Sequence, residues 1–318
     1  MKKIINYGNH YISHDDILSV TNALKEKKIT QGHIVERFEN KLNLFFNSKY
    51  TLAVSSGTAA LHLSMLSLNL SKKDKVITSP ISFLASANCV EYVGAKVDFC
   101  DIDKNNYTMN PNLLEDKLKK DKNIKAAIVV DYAGHPAAWE DFLYLKKKYK
   151  IILVNDNCHA FGSKFNNDED YAIKYADIVT QSFHPVKQIT TGEGGAIITN
   201  NKNLYSKAKL LRSHGMIRND NKNTEPWIYS MNELGYNYRL PDINCALGIS
   251  QLKKIKIFIK KRRQIAEIYT KNLSLDCIKL PKNDKNIFHS HHLYPIQINF
   301  KNLKIDKKTF FKKMMKQN

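Results

Sequence analysis

One lysine, Lys187, lies in a segment that could hold an amine in place for chemistry, SFHPVKQITTGEGGA (182–196). The apolar run DIVTQSF before it predicts a strand, and the glycines after it predict a turn. A lysine in a loop is usually a solvated ammonium ion. A lysine held in a partly dry pocket has a lowered pKa, so it becomes a nucleophilic amine that can form Schiff bases.

The segment VSSGTAALHLS (54–64) predicts a strand, a tight turn at Gly57 and a helix that begins at Thr58 and Ala59. The free N–H groups and the positive dipole end of such a helix suit a phosphate. An ordinary turn with a Ser or Thr cap would give the same pattern. The phosphate interpretation therefore depends on what the neighbouring strand ends carry.

Two other predicted strand ends carry side chains that suit a planar, basic ligand. Phe83, in TSPISFLASANCV (78–90), is either a core aromatic residue or a ring that stacks on a heteroaromatic ligand. Asp156, in ILVNDNCHAFGS (152–163), is either a helix N-cap or the partner of a protonated ring nitrogen. Together with Lys187 and the possible phosphate-binding site at the helix start, Phe83 and Asp156 form the set of groups needed to hold pyridoxal phosphate.

The composition is that of a globular enzyme with a basic surface. Of 318 residues, 43% are hydrophobic and 25% are charged, and the formal net charge is +20. The basic residues are spread along the chain without an arginine-rich arm or a zinc-finger spacing, so we predict no nucleic-acid partner. The five cysteines show no metal-binding spacing, which predicts reduced thiols, no metal and a cytoplasmic location. We find no signal peptide and no apolar run of membrane-spanning length, so we predict no membrane association.

Short apolar runs alternate with helical patterns between about residues 50 and 200, which predicts an α/β fold with a mostly parallel sheet. The predicted strands are YTLAVSS, KVITSP, KVDFCDI, IKAAIVVDY, IILVND, DIVTQSF and GGAIITN. Ligands of such sheets bind at the carboxyl ends of the strands. Beyond residue 200 helices predominate, with one more strand predicted in HHLYPIQINF. We predict a large domain over 1–250 and the start of a small α+β domain over 251–318.

Four stretches resemble the fold-type I sugar-nucleotide aminotransferases of the DegT/DnrJ group in their order and approximate spacing. They are SSGTAALH, NDNCHAFGS, SFHPVKQITTGEGGA and GYNYRLPDINCALGISQLKK. Within the group, ITQGHIVERFE, TSPISFLASAN, VVDYAGHP, SFHPVK and RSHGM are particularly similar to the branch of pseudaminic acid biosynthesis. The resemblance covers essentially the whole chain and implies an aspartate-aminotransferase-like large domain. Because family members usually run on past the equivalent of Asn318, it also implies an incomplete, C-terminally short small domain.

The resemblance implies a role around the cofactor ring for four residues. Lys187 would form the Schiff base with pyridoxal phosphate and then carry a proton between cofactor and sugar carbons. Asp156 would keep the pyridine nitrogen protonated. His159 would contact the side of the ring that bears the phenolic oxygen, and Phe83 would stack on the ring face.

Further roles implied by the resemblance concern the phosphate and the substrate. The phosphate-binding residues would be Thr58, Ala59 and Ser182. Asn237 would reach the phosphate of the neighbouring subunit's cofactor, so the active unit would be a homodimer with shared active sites. The sugar nucleotide would be contacted by Tyr7, Lys27, Lys28, Ile29 and Thr30.

The implied reaction takes an amino group from glutamate and places it on the 4-keto carbon of a UDP-linked 4-keto-6-deoxy-N-acetylhexosamine. Three alternatives stay open. A dehydrating relative usually has histidine where this chain has Lys187, which argues against it. A truncated, catalytically impaired remnant or regulatory relative would keep the motifs without turnover, and a nucleic-acid-binding protein would show salt-sensitive binding. One departure is Gln188, where the branch usually has proline, and we expect it to alter the stiffness of the loop.

Overall fold

The computed structural model describes residues 8–217, 225, 227–273, 275–282 and 284–317. Its helices in chain order are α1 (His14–Leu24), α2 (His33–Phe46), α3 (Gly57–Ser67), α4 (Ala85–Glu91), α5 (Pro111–Lys120), α6 (Trp139–Tyr149), α7 (Tyr171–Tyr175), α8 (Lys202–Arg212), α9 (Asp242–Leu252), α10 (Ile255–Asn272), α11 (Phe300–Leu303) and α12 (Lys307–Met315). Its strands are β1 (Tyr50–Val54), β2 (Lys75–Thr78), β3 (Lys96–Phe99), β4 (Ile124–Val130), β5 (Ile152–Asp156), β6 (Lys164–Phe165), β7 (Ile178–Ser182), β8 (Gly195–Thr199), β9 (Met216–Ile217), β10 (Ser230–Met231), β11 (Ile278–Lys279), β12 (Ile287–Phe288) and β13 (Gln297–Ile298).

A seven-stranded sheet forms the centre of the fold, in the order β1-β8-β7-β5-β4-β2-β3. β8 pairs antiparallel with β1 and with β7, and the other neighbours are parallel. These strands are the seven apolar runs predicted from the sequence, so the predicted α/β fold with a mostly parallel sheet is confirmed. Because β1, β2, β4, β5 and β7 run in the same direction, their carboxyl ends lie along one edge.

Helices cover both faces of this sheet. Along β4, Ala127 and Val129 belong to one hydrophobic cluster, and Ala126 and Ile128 belong to a second. The alternation follows from the strand repeat of two residues. The first cluster contains residues of α2, α5, α6, α7, α9 and α10, and the second contains residues of α3, α4 and α8. Burial on both faces explains why the strand sequences are almost continuously apolar.

The chain beyond residue 250 packs partly on the large sheet. Ile255 and Ile259 of α10 are buried in the first hydrophobic cluster, and Ile259 lies against the backbone of Gly162. The strand predicted over HHLYPIQINF is reduced to β13, because Pro295 cannot donate to a ladder and the histidines before it take other partners. The domain boundary near residue 250 stays a prediction. Among the described residues, no helix has the length and apolar character that a membrane span requires.

Candidate active site

A cavity of about 600 Å³ opens at the carboxyl edge of the sheet. Its volume is that of a small-molecule site, and it lies where parallel sheets bind ligands. Six of the residues predicted for the cofactor site line it, namely Thr58, Phe83, Asp156, His159, Ser182 and Lys187. The fold therefore brings together residues that are up to 129 positions apart in the chain, the separation of Thr58 and Lys187.

Lys187 lies in the loop that follows β7. Its backbone N–H donates to the carbonyl oxygen of His184 at 2.9 Å, which fixes the start of the loop. Burial lowers the pKa of the Lys187 amine; Cys158 and Asp156 raise it, and Arg262 lowers it further. The net result is a pKa below the ordinary value of a lysine, as a nucleophilic amine requires.

Asp156 ends β5 and is only 5% exposed. One carboxylate oxygen accepts a hydrogen bond from Ser86 Oγ at 2.7 Å, and the other accepts one from the backbone N–H of Cys158 at 3.3 Å. No helix begins at Asp156, so the N-cap alternative considered above is wrong. A carboxylate has about four acceptor positions, which leaves capacity for a donor in the cavity.

A second buried carboxylate, Asp131, lies directly behind this strand end. Its two oxygens accept hydrogen bonds from five donors, the Ala137 N–H, Trp139 Nε1, Asn155 Nδ2, Asn157 Nδ2 and the Tyr171 hydroxyl. Asn155 and Asn157 flank Asp156 and point to Asp131, so the Asp156 side chain is directed to the opposite side, into the cavity. Asp131 is not among the residues predicted from the sequence, although it follows an apolar run just as Asp156 does.

The predicted phosphate-binding site lies at the ends of β1 and β7. Ser56 caps α3 by accepting a hydrogen bond from the Ala59 N–H at 3.0 Å, so the helix begins at Gly57, one residue earlier than predicted. A Cβ on Gly57 would stand 2.8 Å from the Cβ of Ser182, so only glycine lets the helix start this close to β7. Thr58 and Ser182 consequently line one cavity, whereas Ala59 is buried just behind it.

Phe83 lines the open side of the cavity with 68% of its surface exposed. A core aromatic residue would be buried, so that alternative for Phe83 is wrong. Its ring is instead available to cover a ligand that enters the cavity.

Two histidines lie together on the side of the cavity that the C-terminal part of the chain provides. The rings of His159 and His292 have centroids 4.3 Å apart. His159 Nδ1 accepts a hydrogen bond from the Ala133 N–H at 3.3 Å, and burial lowers the pKa of His159 to about 3, so its ring is neutral. His292 Nδ1 is buried without a hydrogen-bond partner among the described residues. Sequence analysis missed His292, although the His-His pair of HHLYPIQINF was a visible signal.

The remaining candidates lie outside the cavity of their own chain. Lys27, Lys28, Ile29 and Thr30 are exposed in the connection between α1 and α2, and Asn237 is exposed beside α8, where it forms a bridge with Ser213. Tyr7 lies outside the described residues. Its neighbour Gly8 packs against Val186, which lines the cavity next to Lys187. The substrate roles of these residues stay predictions.

Comparison with known proteins assigns the chain to a family. Residues 10–318 match the model of the DegT/DnrJ/EryC1/StrS aminotransferase family, and the chain belongs to it. Aminotransferases of this family depend on pyridoxal phosphate, so the predicted cofactor is confirmed. The cavity fits this cofactor, because it offers an amine, a buried carboxylate and a helix N-terminus at which Gly57 allows close approach to Ser182.

Three similar proteins illustrate the relationship. The chain is 42% identical over 298 residues to the UDP-4-amino-4,6-dideoxy-N-acetyl-beta-L-altrosamine transaminase of Campylobacter jejuni subsp. jejuni serotype O:23/36 (strain 81-176), covering 92% of this chain and 76% of that protein. The structure of this chain matches Helicobacter pylori PseC, an aminotransferase involved in the biosynthesis of pseudoaminic acid, with a TM-score of 0.92 and 32% identity. The match covers 99% of this chain and 83% of that chain. The PMP-form of Spr1654 from Streptococcus pneumoniae matches with a TM-score of 0.85 and 25% identity, covering 93% and 79%.

Proposed function

We propose that this protein transfers the amino group of glutamate to the 4-keto carbon of a UDP-linked 4-keto-6-deoxy-N-acetylhexosamine in the cytoplasm. The observation that carries the chemistry is the half-buried Lys187 with its lowered amine pKa, in one cavity with the buried Asp156 carboxylate. The 42% identity to the Campylobacter jejuni transaminase supports the choice of sugar. The remnant alternative gains no support, since six of the eight predicted cofactor residues line one cavity.

The residues around the cavity would hold pyridoxal phosphate in a defined orientation. Asp156 would accept a hydrogen bond from the ring nitrogen, Phe83 would cover the ring, and the phosphate would lie at the start of α3 beside Thr58, Ala59 and Ser182. When bound, the cofactor supplies an aldehyde that takes up the amino group and a ring that delocalises electrons. Asp131 would keep Asp156 pointed at the ring nitrogen through Asn155 and Asn157.

Lys187 would both attach the cofactor and move the proton. Because burial lowers its pKa, a larger fraction of the amine is neutral near pH 7 than for a solvated lysine. In the first half-reaction the neutral Nζ would take the proton from the α-carbon of glutamate, and in the second half-reaction the protonated Nζ would give a proton to C4 of the sugar. His159 is neutral at that pH and can act only through hydrogen bonds and packing.

We also propose that the protein acts as a homodimer in which each cavity is completed by the partner. The support is geometric, because Asn237 and residues 27–30 are exposed and lie outside the cavity of their own chain. A two-fold related copy can present them to the other cavity, since the interface of such a dimer is self-complementary.

Amination of the sugar is tested with purified protein, pyridoxal phosphate, glutamate and the UDP-linked 4-keto sugar in D2O. Mass spectrometry should show a 4-amino product with one deuterium on carbon, as expected if Lys187 delivers the proton. Lys187→Ala should abolish the product. Lys96→Ala, which removes an exposed lysine of β3, is the matched control and should leave the rate unchanged. Failure of the wild-type protein to aminate any UDP-linked 4-keto sugar would refute the proposal.

The shared active site is tested by mixing two inactive variants. In a mixed dimer of Lys187→Ala and Asn237→Ala, one of the two sites keeps both wild-type residues. Co-expression should therefore restore about one quarter of the wild-type activity, because half of randomly paired dimers are mixed and each has one intact site. No restored activity, or a monomer in sedimentation, would contradict shared sites.

A further inference from the structure

Arg262 of α10 forms hydrogen bonds to four backbone carbonyl groups from two separate segments. Its Nη2 donates to the carbonyl oxygens of Val186 at 3.2 Å and of Lys187 at 3.3 Å. Its Nη1 donates to those of His291 and His292, both at 3.3 Å. One guanidinium thus joins the lysine loop to the histidine segment of the C-terminal part of the chain.

The charge of Arg262 has no compensating carboxylate among the described residues. Burial lowers its pKa, although a guanidinium remains protonated in proteins. A half-buried cation without a counter-ion is unfavourable for stability, and here its charge also lowers the pKa of the Lys187 amine. The uncompensated charge of Arg262 is therefore better explained by a functional role than by a contribution to stability.

The two segments that Arg262 joins form adjacent sides of the cavity. Lys187 lines it from one segment, and His292, whose ring packs on His159, lines it from the other. Gln188 provides a second link between them, because its Nε2 donates to Ser290 Oγ at 3.1 Å and to the carbonyl oxygen of His159. The lysine loop is therefore joined to residues 290–292 in two ways, by the Gln188–Ser290 hydrogen bond and by the bridge that Arg262 forms.

We propose that Arg262 is a positioning residue for the reactive lysine. Its planar fork holds the Lys187 loop against the histidine segment, and its fixed positive charge favours the neutral form of the amine. The proposal rests on the proposed role of Lys187. Lysine could supply the charge but not the four-bond geometry, since an ammonium group has three donors and no rigid plane.

Several other groups around Lys187 influence its charge state. Asp156 and Cys158 favour the ammonium form from the end of β5. His159 and His292 have pKa values lowered by burial and are neutral. His184 and Glu193 line the same cavity from the lysine loop. Against this background, removal of the Arg262 charge should raise the pKa of Lys187.

Three variants separate geometry from charge. Lys187 of the cofactor-free full chain is labelled with acetic anhydride over a range of pH, and the acetylated peptide is quantified by mass spectrometry. Arg262→Gln should move the labelling midpoint upward by about one pH unit and lower kcat about 100-fold. Arg262→Lys should keep the midpoint and lower kcat about tenfold, because only the geometry is lost.

Arg263→Gln is the matched control from the same helix. Arg263 donates to the carbonyl oxygen of His289 at 3.2 Å and stacks on Phe288, without a hydrogen bond to the lysine loop. It should leave the midpoint and kcat unchanged. If Arg262→Gln does not fold, Arg262→Lys still tests the geometry through kcat. An unchanged midpoint in Arg262→Gln, an unchanged kcat in Arg262→Lys, or equal effects in Arg263→Gln would overturn the proposal. If the wild-type protein fails to aminate the sugar while Arg262→Gln still shifts the labelling midpoint of Lys187, only the proposed function is refuted.

Discussion

Two regions next to the cavity differ in how their titratable side chains are paired. The sheet wall, formed by Asp131, Asn155, Asp156 and Asn157, contains two carboxylates that together accept hydrogen bonds from seven donors, five at Asp131 and two at Asp156. Its buried atom without a partner among the described residues is a neutral amide oxygen, Asn155 Oδ1. The histidine wall, formed by residues 289–292, contains two ring nitrogens, Nδ1 of His291 and of His292, that are buried without a partner among the described residues. Of these two rings, that of His292 lines the cavity.

This difference matches the two kinds of ligand that the site must accept. A cofactor that stays bound is best held by groups whose orientation is fixed in advance, and the sheet wall provides that. Substrates enter and leave, so the groups that recognise them keep unused hydrogen-bonding capacity until a ligand arrives. An unpaired polar group in a native structure often marks such a functional position.

The largest effect is expected for Asp156→Asn, which tests the sheet wall directly. Asparagine has nearly the same shape and can still accept from Ser86, but it cannot stabilise a protonated ring nitrogen. We expect the rate of the glutamate half-reaction, measured in a single turnover, to fall about 1,000-fold. Asp116→Asn, an exposed carboxylate on α5, serves as the control. A wild-type rate in Asp156→Asn would remove Asp156 from the mechanism.

Asp131→Asn should mainly affect stability. One of its oxygens becomes an NH2 group that faces donors, so at least one buried hydrogen bond is lost and a repulsive contact is created. We expect the free energy of unfolding to fall by about 3 kcal/mol, measured by urea titration. A loss below the error of the titration would show that the five donors do not depend on the carboxylate.

The histidine wall should make the fold sensitive to acid. Burial lowers the pKa of His291 from 6.5 to about 4 in the folded protein. The unfolded chain therefore takes up a proton first as the pH falls, and the stability contribution, complete above pH 6.5, is lost progressively toward pH 4. Between pH 6.5 and 5, His291→Gln should reduce the loss of unfolding free energy by about 1 kcal/mol, after allowance for the exposed part of the ring. Identical pH profiles for variant and wild type in urea titrations would contradict this pKa.

His292→Ala should produce the smallest change and should affect the substrate rather than the cofactor. Its ring lines the cavity with an unpaired nitrogen, so we expect KM for the sugar nucleotide to rise about tenfold while the glutamate half-reaction stays unchanged. The neighbouring His291→Ala, which removes a ring that does not line the cavity, should leave KM within about twofold of the wild type. A slower glutamate half-reaction in His292→Ala would instead place this residue at the cofactor.

The comparison also shows which features could be predicted from the sequence. The seven strands were predictable because their apolar runs are local patterns, and Lys187, Asp156 and Ser182 could be grouped because parallel strands end along one edge. The strand predicted over HHLYPIQINF is found only at β13, and its first residues, His291 and His292, belong instead to the histidine wall. The apolar residues around Pro295 follow a strand-like pattern, which explains the longer prediction.

Contacts between distant segments could not be inferred from local patterns. Arg262 binds the carbonyl of Val186 across 76 positions, and Asp131 collects donors that lie up to 40 residues away. Main-chain acceptors of this kind have no signature in the sequence, since every residue carries a carbonyl group. Phe83 likewise resembled a core residue until its exposure was known.

The attachment of the cofactor to Lys187 is the central claim, and borohydride reduction tests it most directly. The full chain is incubated with pyridoxal phosphate, reduced, digested and mapped by mass spectrometry, once without glutamate and once after glutamate has been added. The account predicts a phosphopyridoxyl group on Lys187 in the first sample and its loss in the second, with Lys96 unlabelled in both. A label on another lysine, or a Lys187 label that glutamate does not remove, would contradict it.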